Sequence, residues 1–280
     1  MDNISNIIVL SSQTDLPYMT ITSLEKIPSL DLNYIVIASN TVLHHEQLVF
    51  LEKNLQGKKI LVEKPLFDSY QICKIIDNQV YVGYNLRFHP VLKKIKKVIK
   101  NMNIWNIQLF CGSYLPDWRP ARDYRKTSSA KRETGGGVLL DLSHELDYIQ
   151  WLVGTIDINY VFNEKISDLE IETDDILLLY GKSKTGTQIQ ISLNYFTLKP
   201  LRQIIIDGKG ISIQADLITN RISIILNNQL KEYSWPHLKR DDSYLEQHSA
   251  VLSNTSSQVC TYKEGLKTMC LIDSIRSFNA

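Results

Sequence analysis

Lys64 and His144 are the side chains of this sequence whose types and settings suit proton transfer. Lys64 stands near the end of Gly57-Lys58-Lys59-Ile60-Leu61-Val62-Glu63-Lys64-Pro65-Leu66, where a basic turn feeds a short apolar strand with a Glu-Lys pair at its C-terminal tip. Open α/β sheets take ligands in the crevice at the carboxyl ends of their strands. A lysine partly desolvated there titrates closer to neutrality and can pass a proton to or from a substrate. A solvated strand-end ion pair is the plainer alternative.

His144 belongs to the segment from Gly135 to Gly154, which opens with three glycines. Such a start lets the backbone approach a ligand closely before a helix begins. At ~100° per residue, Leu142, Leu146, Ile149 and Val153 form a core-facing stripe, and Asp141, His144 and Tyr148 gather on another face within roughly 60° of one another. Asp147 lies one step round beside His144. That carboxylate could hold the imidazole tautomer and raise its basicity, as a general acid-base histidine needs. An ordinary polar helix face is again the alternative.

These groups need elements to position them. Residues 6–11, 34–38, 60–62 and 80–83 are short apolar runs bounded by turn signals, as expected of parallel strands covered on both faces. Helical patterns follow at His44 to Asn54 and Tyr70 to Asp77, giving the alternation of a doubly wound sheet. In residues 91–100 the apolar Val91, Leu92, Ile95, Val98 and Ile99 share one face and leave the lysines on the other. That is an amphipathic surface helix, and it marks a hinge between domains. From Ile104 the pattern changes to strands at 104–110, 173–180, 188–196, 202–206, 211–214 and 222–226, separated by turns such as Lys184-Thr185-Gly186 and Asp207-Gly208-Lys209-Gly210. Strands joined this way make a mainly antiparallel sheet. A helix beginning near Val138 interrupts the series, and Tyr262 to Phe278 closes the chain as another. The expected fold class is therefore α/β followed by α+β, divided into residues 1–100 and 101–280.

Composition narrows the classes of partner. The 280 residues are 44% hydrophobic and 22% charged with a net charge of +1, an ordinary globular balance that asks for neither nucleic acid nor an anionic membrane. The opening Asp2 and Asn3 and the lack of a long apolar run argue against a signal peptide or membrane span. Cys73, Cys111, Cys260 and Cys270 show neither a Cys-x-x-Cys pair nor zinc-ligand spacing, so no metal is expected and a cytoplasmic setting fits.

The order and spacing of four motifs resemble the glucose–fructose oxidoreductase/inositol dehydrogenase (Gfo/Idh/MocA) family. Tyr34-Ile35-Val36-Ile37-Ala38-Ser39-Asn40-Thr41 followed by His44 is similar to that family's strand and loop beside the cofactor. Gly57 to Pro65 resembles its Glu-Lys-Pro segment, Val82 to Pro90 its next strand end, and Gly135 to Gly154 its substrate-facing helix. The resemblance implies a truncated Rossmann-type parallel sheet, then a second domain with an open sheet through which copies of the chain would associate. It implies hydride transfer between NAD or NADP and a sugar, sugar derivative or cyclitol. Lys64, His144 and Asp141 correspond to the catalytic lysine, the acid-base histidine and a substrate-positioning carboxylate. Ala38, Ser39, Asn40, His44, Glu63, Lys64, Tyr84 and Asn85 would line the cofactor, and Arg87 would be a domain-interface or substrate contact.

The sequence departs from that pattern at its start. The family's Gly-x-Gly-x-x-Gly loop carries the pyrophosphate on backbone amides, whereas the first glycine here is Gly57. Residues 7–10 match the family's second strand, which puts Ser11 and Ser12 at the ribose-recognition position with no acidic residue beside them. A non-catalytic remnant serving as a binding or dimerisation module is thus the alternative to an enzyme. A second departure is the spacing of Asp141 and His144, three residues rather than four. Between the domains, Tyr114 to Arg125 interleaves aromatics and arginines. Arg119, Arg122, Tyr124 and Arg125 could clamp an anionic sugar, with Asp147 as a further substrate contact, or the arginines could be salt-bridged to Asp117 and Asp123.

Overall fold

The computed structural model of the chain describes residues 6–13, 15–255 and 257–278, so Asp2 and Asn3 lie outside the described residues. Three parallel strands make up most of one four-stranded sheet: β3 (Tyr34–Ile37) at its edge, then β4 (Lys59–Val62) and β5 (Gln79–Val82). Ile37, Val62 and Val82 are in register across it, so the three carboxyl ends lie side by side. Ile60, Leu61 and Val62 are fully buried, which is what a strand sandwiched on both faces requires of its residues. The helix α1 (His44–Asn54) returns the chain between β3 and β4.

Two expectations for this region are corrected. The first apolar run, β1 (Ile8–Leu10), does not join the main sheet. It pairs in parallel with β2 (Met19–Ile21), a strand that sequence reasoning missed, in a separate two-stranded sheet. Only Ile21 of the six residues is buried, so neither strand has the two covered faces of a central strand. The expected helix at Tyr70 to Asp77 is irregular chain. Its amides are met by side chains from other elements instead of by a helical ladder: Tyr70 N donates to Asp273 Oδ2, Cys73 N to the Tyr262 hydroxyl, and Ile76 N to Glu52 Oε2.

The helix α2 (Pro90–Ile99) starts where Pro90 occupies its first turn and His89 Nδ1 accepts from Val91 N at 3.3 Å. Three of its four lysines are partnered: Lys93 with Glu246 at 2.7 Å, Lys94 over the Tyr233 ring, and Lys96 over Trp151. Beyond it runs an eight-stranded sheet built from β6 (Ile104–Gly112), β7 (Ile156–Glu164), β8 (Ile176–Ser183), β9 (Gln188–Asn194), β10 (Leu201–Gly208), β11 (Ile211–Asp216), β12 (Arg221–Leu226) and β13 (Gln229–Ser234). The order is β13-β12-β11-β10-β6-β9-β8-β7, antiparallel throughout except where β6 and β9 run parallel. Strands β7 and β13 were not anticipated. The second is an edge strand with every residue but Tyr233 exposed, so it carries no apolar alternation to read.

The helix expected from Val138 is two: α3 (Val138–Asp141) and α4 (Ser143–Val153), broken at Leu142 with φ −98° and ψ 27°. An unanticipated α5 (Asp242–Ser253) follows the large sheet. The chain then returns to the first sheet, where β14 (Cys260–Thr261) pairs antiparallel with β5 and α6 (Tyr262–Phe278) ends the described residues. No helix among the described residues is long and apolar enough to cross a membrane.

Candidate active site

The carboxyl ends of β3, β4 and β5 face the α3–α4 segment, and there Lys64 and His144 come together. Lys64 Nζ donates to the Asp141 carbonyl oxygen at 2.6 Å, at the last residue of α3 and three residues ahead of His144. Burial pulls the ammonium below its ordinary range, with Asp141 opposing and Arg202 reinforcing that shift. The Asp141 carboxylate does not meet Lys64. Its Oδ2 accepts from the Tyr195 hydroxyl at 2.7 Å, and Trp118 packs edge-on against the Tyr195 ring at 5.3 Å. Glu63, beside Lys64, is turned over Gly83, where an added Cβ would fall 2.8 Å from its Oε2. Burial raises the Glu63 carboxyl.

His144 is buried, and its Nδ1 has no hydrogen-bond partner among the described residues. The ring stands edge-on to Tyr84 at 5.7 Å. Burial drives the imidazole well below its ordinary value, and the positive charges of Lys64 and Arg202 push the same way. The Tyr84 hydroxyl and the Ser143 hydroxyl are likewise buried without a hydrogen bond of good geometry.

The expected Asp147–His144 pairing is corrected. Asp147 receives Arg87 through two bonds, Nε to Oδ2 at 2.9 Å and Nη2 to Oδ1 at 2.7 Å, and both side chains are 2% exposed. Arg87 also meets Glu264 of α6 at 3.0 Å. A helical wheel fixes Asp147's angle but cannot foresee a guanidinium arriving from the turn after β5. In this arrangement Arg87 joins that turn to α4 and α6.

The cofactor candidates divide as well. Ala38, Ser39 and Asn40 follow β3 at the crevice, and Ser39 Oγ donates to Gln47. His44 is an internal strut whose Nδ1 lies 3.1 Å from Pro65 O and whose Nε2 lies 3.1 Å from Ser39 O, tying the β3 loop to the β4 loop. Asn85 is turned away, its amide donating to Ser243 Oγ at 2.8 Å. Ser11 and Ser12 end β1, and among the described residues no hydrogen bond joins them to the Lys64 loop. In the loop after β6, Arg125 is held by Asp123 and Glu170, Tyr124 takes the Glu170 amide on its hydroxyl, and Arg119 and Arg122 are exposed. The ion-paired alternative therefore holds for Arg125.

Sequence reasoning missed Glu145, Arg202 and Tyr195. Glu145 is fully buried and takes Arg202 Nε at 2.7 Å and Nη2 at 3.1 Å. One signal was available: Glu145 falls at the edge of the Leu142–Leu146–Ile149 stripe, and a carboxylate drawn into the core with such a stripe calls for a buried cation. No group of three or more His, Cys, Asp or Glu among the described residues could hold a metal ion.

Residues 92–214 match the model of the GFO/IDH/MocA C-terminal domain. The chain is 25% identical over 240 residues to 2,7-anhydro-N-acetylneuraminate hydratase of Escherichia coli, a match covering 81% of this chain and 63% of that protein. It is 23% identical over 252 residues to myo-inositol 2-dehydrogenase of Thermotoga maritima, covering 83% and 72%. Across three such relatives the matched segment spans 37%, 63% and 34% of the relative's own length. Among solved structures, the WlbA dehydrogenase of Bordetella pertussis in complex with NADH and UDP-GlcNAcA superposes with a TM-score of 0.73 at 20% identity, covering 93% of this chain and 81% of that one. The small parallel sheet and the large mixed sheet thus share the fold of that dehydrogenase, and residues 92–214 are similar to the GFO/IDH/MocA C-terminal domain.

Proposed function

We propose that this chain is an NAD(P)-dependent oxidoreductase acting on a sugar, sugar derivative or cyclitol, with Lys64 and His144 handling the substrate's hydroxyl proton. The observation that carries the reading is a part-buried lysine at the tip of a parallel strand, bonded to the backbone of the segment that bears a buried, neutral imidazole. The similar proteins include an inositol dehydrogenase and a dehydrogenase solved with NADH and a UDP-sugar, which supports the substrate class.

The residues present fit the nicotinamide end of such a cofactor. Three strand tips lie in register, and among the described residues the Tyr84 hydroxyl and His144 Nδ1 are buried polar atoms without a hydrogen bond of good geometry. They do not supply the pyrophosphate end, since the first glycine in the sequence is Gly57. A bound nicotinamide would supply the hydride acceptor or donor. The chain's own part is proton handling: burial disfavours the Lys64 ammonium, so that Nζ in its unprotonated form takes the hydroxyl proton as the carbinol carbon is oxidised, and the Asp141 carbonyl orients the resulting ammonium. His144 holds the substrate oxygen, and Tyr195 fixes the Asp141 carboxylate so that it stays off the lysine. Residues 1–100 would serve as the cofactor unit and 101–280 as the substrate and oligomerisation unit, with a second copy meeting the exposed face of the large sheet.

The test is oxidation of a panel of aldoses, cyclitols, uronic acids and nucleotide sugars with NAD or NADP, read by the absorbance of the reduced nicotinamide. Turnover lost in Lys64→Ala and in His144→Ala is the expected result. Turnover that survives Lys64→Ala would sink this assignment, and no turnover with any pair would leave a non-catalytic binding module as the function.

A further inference from the structure

The turn that carries Asp141 to Lys64 is four residues long and cannot hold itself in place. The first amides of any helix lack a partner inside it, and the residue that caps α3, Gly137, has no side chain to offer them. The chain leading into β8 meets them instead. Val138 N donates to the Asp174 carbonyl at 3.0 Å, and Leu139 N donates to Asp174 Oδ2 at 2.9 Å. Asn163 of β7 donates to the same Oδ2 at 3.0 Å and to the Ile176 carbonyl at 3.0 Å, which ties the carboxylate to the large sheet. The third glycine of the segment is what admits it: a Cβ at Gly137 would strike Asp174 Oδ1, and φ there is +111°. At the other end of α3, the break at Leu142 turns Glu145 N to the Leu142 carbonyl at 3.3 Å. The Asp141 carbonyl is thereby left out of the helical ladder, and Lys64 Nζ takes it at 2.6 Å. The rise from Val138 to Asp141 is only ~4.5 Å, so little lies between the head of the turn and that carbonyl to absorb a displacement.

We propose that Asp174 is a positioning residue of the Lys64–His144 site: by holding the head of α3 against β7 it sets where the Asp141 carbonyl stands, and so where Lys64 Nζ is aimed. Its side chain acts as an acceptor of fixed position, so what matters is the oxygen that Leu139 N and Asn163 share and not the carboxylate's charge. Tyr195, bonded to the Asp141 carboxylate, is a second anchor on the same residue. Asp174 is the one that bears on the backbone from which the Asp141 carbonyl projects. The effect on Lys64 stands without the oxidoreductase reading; the effect on turnover rests on it.

The test is NMR of the full chain carrying isotopically labelled lysine, with the Lys64 side-chain signal identified by its loss in Lys64→Arg. Asp174→Ala removes the acceptor of Leu139 N and the tie to Asn163, and should move the Lys64 signal while lysines outside the site keep theirs. Asp174→Asn keeps an oxygen that both donors can reach, and should restore the wild-type signal. Asp175→Asn is the control for general loosening: its buried carboxylate holds Ile166 N and Ser167 N, in a loop apart from α3, and the Lys64 signal should stay. Should Asp174→Ala fail to fold, Asp174→Ser, whose hydroxyl ends a bond short of the carboxylate, makes the same comparison. A Lys64 signal unmoved in Asp174→Ala would mean that Tyr195 alone suffices, and the proposal falls. It falls too if Asp174→Asn or Asp175→Asn moves the signal as far as Asp174→Ala does. With a working substrate, Asp174→Ala should lower kcat roughly tenfold or more with KM little changed. The spectra need neither cofactor nor substrate, so a failed search for turnover leaves them standing, and the reverse holds too.

Discussion

Breaking the Arg87–Asp147 pair should cost this protein more than any comparable surface substitution, and the two halves should cost different amounts. Both side chains are 2% exposed, and two bonds of 2.7 and 2.9 Å join them. Removing one partner of a buried pair leaves an uncompensated charge, at about 3–5 kcal/mol. After Asp147→Asn, Arg87 still has Glu264 at 3.0 Å, itself 36% exposed, so the loss belongs near ~3 kcal/mol. After Arg87→Met, Asp147 retains among the described residues only the weak Cys260 Sγ contact at 3.6 Å, and the loss moves toward ~5 kcal/mol. Arg87→Met combined with Asp147→Leu removes both charges and should be far milder than the sum of the singles. Urea unfolding followed by circular dichroism measures all three. A loss below ~1 kcal/mol for either single variant, or a double variant as costly as the two singles added, would refute the reasoning.

Three further outcomes are expected. His44, His89 and His144 are all buried and held below their ordinary range, chiefly by burial. The unfolded chain therefore binds protons that the native state refuses. Their contribution is fully present above the unfolded midpoint near ~6.5 and declines as pH falls below it, by up to about 1.4 kcal/mol per pH unit for each ring; urea midpoints flat from pH 7 to 5 would contradict this. Gly83→Ala puts a Cβ 2.8 Å from Glu63 Oε2 and 3.1 Å from Glu63 Cα, so the β4 tip must shift and Lys64 with it. Turnover should drop roughly tenfold or more with little loss of stability, and a variant of unchanged kcat would count against a rigid tip. In the loop after β6, Arg119→Ala should raise KM for an anionic substrate while Arg125→Ala, whose guanidinium is already neutralised by Asp123 and Glu170, should not. Equal effects on KM would remove that distinction.

What the sequence disclosed depended on whether the deciding contact was local. The apolar runs at 34–38, 60–62 and 80–83 read as parallel strands because burial on both faces leaves a continuous apolar string, and His44 to Asn54 matched α1 to the residue. That Lys64 would lie near the His144 segment was implied only by the family resemblance of the two motifs, since no local pattern links a strand tip to a helix 77 positions away. Contacts made by chain from far away were not legible. Arg87 reaches Asp147 across 60 positions and Arg202 reaches Glu145 across 57, and no local period marks either partner. The amides of Tyr70, Cys73 and Ile76 show the same limit: a helical pattern lost to side chains contributed by α1 and α6. Polar edge strands such as β13 leave no apolar trace at all.

The pairing of Cys260 with Val82 has a consequence for how the molecule is made. During synthesis, the large sheet has all eight strands by Ser234, but the outer edge of β5 stays bare until the last stretch of chain emerges. Of the two larger sheets, the one translated first is then the last to be completed, and its exposed backbone edge invites mispairing for most of translation. Ribosome-bound chains arrested before Cys260 should therefore be cut by protease in the first sheet while the second is protected.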